Sequence, residues 1–129
     1  MADAREGLLY TPRHMWVKLD EEASTAEVGI TEELARRLTT ILSIDSPMPG
    51  DELEIDTDCL HIHLSTGIRA LYAPMTGRVI ETNQDVLDNP DLMQVAPYEH
   101  CIFKMEYDEP GEVDLLLSPT RYAIYLDEY

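Results

Sequence analysis

Between residues 41 and 83 the chain alternates apolar and polar residues in short segments, each closed by a turn, and this pattern constrains the fold most. In Cys59-Leu60-His61-Ile62-His63-Leu64 the alternation places Leu60, Ile62 and Leu64 on one face of a strand and Cys59, His61 and His63 on the other. Ser65-Thr66-Gly67 reads as a hairpin tip, with Ile68 to Ala73 as the return strand. Pro74-Met75-Thr76-Gly77 turns again before the strand Arg78–Asn83, and Ser46-Pro47-Met48-Pro49-Gly50-Asp51 cannot continue a ladder. The middle of the chain is therefore a run of hairpins.

The flanks extend this pattern. Leu8–Tyr10, Trp16–Leu19 and Thr25–Ile30 read as strands, and Asp20–Ser24 reads as a turn. From Thr31 the period becomes helical, with Thr31 as cap and Leu34, Leu38, Ile41 and Leu42 on one stripe. This helix gives way near Thr40 to a strand over Leu42–Asp45. Asn89-Pro90 predicts a short helical turn with Pro90 at its first position, Ile102–Tyr107 a strand, and Ser118-Pro119 a terminal helix over residues 119–127. Mainly β structure with short helices, as a barrel or sandwich in one domain over residues 1–129, fits the pattern and the length.

With 26 acidic against 9 basic residues, the formal charge is −17, which repels nucleic-acid backbones and anionic membrane surfaces. Basic protein surfaces or cations are the attractions that remain. Met1–Gly7 has no apolar stretch after its single cation, and no segment approaches the roughly 20 apolar residues that span a bilayer, so a cytoplasmic protein is expected. Cys59 and Cys101 are then expected as thiols.

Cys59, His61 and His63 sit at spacings of about 6.8 Å per two residues along one strand face, which suggests soft ligands for zinc or copper, completed by His100 or Cys101. A metal- or sulfur-handling role is the alternative they define. The plainer reading, a polar strand face with a half-buried thiol, is preferred, since neighbours on a flat strand seldom reach one ion unaided. No nucleophile and base pair, phosphate-binding glycine loop or C-x-x-C stands out, so no catalytic residue is assigned.

Four segments in order resemble the H proteins of the glycine cleavage system. Thr11-Pro12-Arg13-His14-Met15-Trp16-Val17 and Val28-Gly29-Ile30-Thr31 are similar to the family's T-x-x-H-x-W and V-G-I-T. Leu71-Tyr72-Ala73-Pro74-Met75-Thr76-Gly77-Arg78-Val79 resembles L-Y-S-P-V-S-G-x-V, and Asn83, Asn89, Pro90, Leu92, Pro97 and Tyr98 match a further spaced set, with Val86 where a leucine is expected. His14 and Trp16 of the opening motif are read as packing residues.

The resemblance implies a lipoyl-domain-like barrel-sandwich hybrid and a non-enzymatic carrier. Its lipoate, borne by the lysine of E-S-x-K-A at a hairpin tip, would meet a decarboxylase, an aminomethyltransferase and dihydrolipoyl dehydrogenase. The E-S-x-K-A motif falls here on His63-Leu64-Ser65-Thr66-Gly67, so Thr66 stands where the resemblance implies the lipoyl-lysine. The two lysines, Lys18 and Lys104, lie far outside that segment, and neither a threonine hydroxyl nor the guanidinium of Arg69 replaces an amine in acyl transfer. A further departure shortens the family's G-E-G-W to Glu99-His100-Cys101. The expectation is an H-protein-like binding or regulatory module without a lipoate cofactor, docking protein partners through Thr66 with His63, Ser65, Gly67 and Arg69.

Overall fold

The computed structural model describes residues 7–128, except for the side chains of residues 127 and 128. Of the opening residues read above for a targeting signal, all but Gly7 lie outside that range. A six-stranded antiparallel sheet has the order β1 (Leu9–Tyr10), β2 (Met15–Asp20), β3 (Thr25–Ile30), β9 (Phe103–Tyr107), β8 (Gly77–Thr82), β5 (Glu52–Leu53). A second, three-stranded sheet is ordered β4 (Ile41–Asp45), β6 (Asp58–Leu64), β7 (Gly67–Tyr72). Helices α1 (Glu32–Arg37), α2 (Gln84–Asp88), α3 (Asp91–Val95) and α4 (Pro119–Glu128) and a 3-10 turn over Pro110–Leu115 fill the connections. None of these helices is long and apolar enough to cross a membrane.

The inner faces of both sheets meet in one core. Val17, Val28 and Met105 from the larger sheet and Leu60, Ile62 and Leu71 from the smaller are all but solvent-free there. Each such side chain contributes about 1.5–3 kcal/mol by leaving water. A second cluster, Tyr10, Trp16 and Tyr122, joins α4 to the larger sheet, with the rings of Tyr10 and Tyr122 stacked at 4.5 Å.

Three β-bulges break the alternation, and each inserts one residue: Leu42 opposite the Leu64/His63 step, Cys59 opposite Tyr72/Leu71, and Ile80 opposite Met105/Lys104. An extra residue shifts the side-chain phase by one, which sequence periodicity cannot register. Cys59 accordingly packs against the main core, whereas Leu42, expected on the helical stripe, is 63% exposed in β4. The helix stops at Arg37, and Ile41 is buried as the first residue of β4 instead.

Thr31 caps α1 as expected, its Oγ1 accepting the Leu34 N–H at 3.2 Å. Ser118 likewise accepts the Arg121 N–H at 3.2 Å, and α4 buries Tyr122. The expectation at Asn89-Pro90 is corrected: α3 starts at Asp91 with Pro90 in the cap position, and Asn89 instead ends α2, which the sequence pattern did not indicate. Asn83 is the N-cap residue of α2, but its amide donates to the Cys101 carbonyl at 2.8 Å and it makes no side-chain cap hydrogen bond.

Candidate functional site

Leu64 pairs with Gly67, which leaves Ser65 and Thr66 as a two-residue hairpin loop. Gly67 has φ +148°, a conformation that favours glycine, and so closes the loop without a steric penalty. Ser65, Thr66 and Gly67 are exposed, while His63 and Arg69 are half-buried on the flanking strands. The tip is tied down from outside its own hairpin. Thr66 Oγ1 lies 3.0 Å from Thr39 Oγ1, and the Ser65 N–H donates to the Thr40 carbonyl at 3.0 Å. Gln94 of α3 secures that same stretch, with Nε2 donating toward the carbonyls of Ala35, Leu38 and Thr39 at 3.1–3.3 Å.

Across the outer face of the smaller sheet each histidine turns to its own carboxylate. His63 Nε2 lies 2.7 Å from Asp45 Oδ2, and His61 Nε2 lies 3.2 Å from Asp58 Oδ2. Exposed Ile68 pairs with His63 across the β6–β7 ladder, and Leu42 is exposed on the other side. Burial, helped by the charge of Asp58, pushes the Cys59 thiol up to about 12, and burial with Glu27 raises that of Cys101. A thiol held protonated is a poor ligand and a poor nucleophile. Among the described residues no three of His, Cys, Asp and Glu gather to hold a metal ion. The metal alternative built on Cys59, His61, His63, His100 and Cys101 thus gains no support.

Lys18, Glu27, Lys104 and Glu81 are successive cross-strand neighbours on β2, β3, β9 and β8. Both lysines therefore belong to the larger sheet, and the tip belongs to the smaller. An amide-linked prosthetic group needs a primary amine. The tip offers the Ser65 and Thr66 hydroxyls, so its residues do not fit such a group.

His14 and Trp16 pack as expected. Trp16 donates from Nε1 to the Pro97 carbonyl at 3.0 Å, and its ring lies against Gly29. His14, buried with φ +70°, joins a polar relay with Tyr122, Thr31 and Arg37 that sequence reading did not find. His14 and Thr31 lie in two separate motifs of the sequence, but nothing there joined them to Tyr122 or Arg37.

Two packed antiparallel sheets with a tight exposed hairpin define a lipoyl-domain-type barrel-sandwich fold. The glycine cleavage H-protein family model matches residues 8–129. "Glycine cleavage system H protein 4" of Aquifex aeolicus is 36% identical over 92% of this chain and 69% of its own length. The glycine cleavage system H protein of Halothermothrix orenii is 32% identical over 95% of each. The chain therefore belongs to the glycine cleavage H-protein family, whose members are lipoate carriers rather than enzymes and act with the other glycine cleavage proteins. The crystal structure of the Mycobacterium marinum H protein shares the fold, with TM-score 0.86 over 95% of this chain and 98% of that one at 22% identity.

Proposed function

We propose that this chain is an H-protein-like binding module that carries no lipoate and so transfers no aminomethyl group. The observation that carries this reading is Thr66. It occupies the hairpin tip where the family's motif has its lysine, its hydroxyl is engaged by Thr39, and both lysines of the chain sit on the other sheet. A hydroxyl is a weak acyl acceptor at neutral pH, and this one is already hydrogen-bonded. The module works by docking a protein partner at the tip, through His63, Ser65, Gly67 and Arg69, in the cytoplasm. Glycine cleavage proteins are the partners this reading favours: the decarboxylase, the aminomethyltransferase or dihydrolipoyl dehydrogenase.

Intact mass after co-expression with a lipoate ligase and lipoate tests the reading. Wild type is expected to stay unmodified beside a lysine-bearing H protein that gains a lipoyl group, and Thr66→Lys is expected to gain it too. A lipoyl mass on wild type would sink the proposal.

A further inference from the structure

A hollow of about 330 Å³ lies away from the tip, where the Thr11–Met15 loop faces the 3-10 turn and the loop between β5 and β6. Ile55, Pro74, Leu115 and Leu116 give it apolar walls, and Leu115 remains 65% exposed there. The walls are tied to one another. Glu112 takes both the Thr76 N–H and hydroxyl at 2.7 Å, and Thr76 Oγ1 in turn accepts the Ile55 N–H at 3.1 Å. Asp56 donates its N–H to the Ala73 carbonyl at 3.0 Å, and Ala73 donates to Thr57 at 2.8 Å. On the facing side Thr11 Oγ1 accepts the N–H groups of Arg13 and Met15, both at 3.3 Å. The hollow is thus largely pre-formed, as small-molecule sites are.

Two exposed side chains of opposite charge border it. The Arg13 guanidinium carbon lies over the Tyr72 ring, 4.0 Å from its centre, a cation–π contact that holds the charge at the rim of the hollow. Asp56 is held at φ +65° on the opposite loop. Neither takes part in an ion pair, with the other or with any other described residue. A protein of charge −17 repels small anions, so Arg13 does not by itself make an anion site, but a zwitterion has no net charge to be repelled.

We propose that this hollow binds an apolar α-amino acid: Arg13 takes the carboxylate, Asp56 the ammonium, and the side chain covers Leu115 and Leu116. This site is independent of the tip, and its success or failure leaves the lipoylation result unchanged.

Amide chemical-shift titration of the full chain with L-leucine, 4-methylpentanoate and 3-methylbutylamine is the test. Leucine is expected to shift the amides of Thr11, of residues 13–15 and 55–57, and of Tyr72 and Ala73 saturably, and each single-charge analogue to bind about tenfold more weakly or worse. Arg13→Gln and Asp56→Asn should each cost leucine a similar factor, and asparagine keeps the left-handed backbone at 56. Arg13→Lys keeps the charge without the planar fork, and should also weaken leucine. No saturable shift with leucine, equal binding of the carboxylate analogue, or unchanged affinity in Arg13→Gln would each overturn the proposal.

Discussion

The Tyr122 hydroxyl lies 2.7 Å from His14 Nδ1, joining the last helix to the start of β2 across 108 positions of sequence. The donors in this relay follow from Arg37, which can only donate and reaches His14 Nε2 at 3.3 Å. His14 is therefore neutral with its proton on Nδ1, donating to Tyr122, and Tyr122 donates onward to Thr31 Oγ1 at 3.0 Å. Tyr122→Phe keeps the stack on Tyr10 but removes the buried hydroxyl that His14 Nδ1 and Thr31 Oγ1 both contact. The cost of such a loss is about 1–3 kcal/mol. Chemical denaturation should show it as a lower midpoint at unchanged slope, and an unshifted midpoint would mean that water replaces the hydroxyl.

Stability should also fall with acid through Glu33. Burial pushes its carboxyl up, but the hydrogen bonds and charges of Arg36 and Arg37 outweigh this and hold it below its ordinary 4.5. A lowered carboxylate stabilises the folded chain above the unfolded value and loses that contribution as pH falls through the folded one. Glu33→Gln should therefore lower stability at pH 7 and flatten its decline below about pH 4.5, which denaturation at a series of pH values will show. Parallel curves for the two proteins would assign the acid loss to other carboxylates.

Gly29 and Trp16 are opposed across β2 and β3, and a Cβ on Gly29 would fall 2.5 Å from the indole. Trp16 cannot retreat, because its Nε1 is bound to Pro97 and its ring is buried. Gly29→Ala should cost about 1–3 kcal/mol by overpacking. It should also red-shift the emission of the chain's single tryptophan; unchanged emission and stability would mean that β3 yields at little cost.

Much of this architecture was legible in the residues because single, local rules governed it. The Leu60/Ile62 alternation located the core strand, and Thr31 and Ser118 announced the helices they cap. The bulges at Leu42 and Cys59 were not legible, since one inserted residue reverses a face while leaving composition unchanged. Helix α2 was not legible because Asn83 continues the alternation of the strand before it, and five residues are too few for a helical period to register. At the tip, the motif placed Thr66, but its bond to Thr39 joins residues 27 apart through a loop whose path no periodicity describes.

The bulge at Cys59 has a chemical consequence. A thiol raised from 9.0 to about 12 has about a thousandth of the ordinary thiolate fraction, and the thiolate is the form that alkylates. At pH 8 iodoacetamide should label the native chain slowly at Cys59 and at the raised Cys101, and both rapidly in denaturant. Rapid native labelling at Cys59, located by peptide mass, would show that β6 opens at the bulge.

Gln94 determines how firmly the tip is held. Its amide bridges α3 to the carbonyls that end α1, and the adjoining Thr39 and Thr40 hold Thr66 and Ser65. Removing the bridge leaves those carbonyls to solvent and the two threonines without their anchor, whereas the β6–β7 ladder is untouched. Gln94→Ala should therefore lose about 1–2 kcal/mol of local rather than global stability, a factor of about 5–30 in opening. The Ser65 amide, which donates to Thr40, should exchange with solvent faster by that factor while the amide of buried Ile62 keeps its rate. If Ser65 and Ile62 accelerate together, Gln94 supports the whole sheet rather than its tip; if neither changes, Thr39 alone holds Thr66 in place.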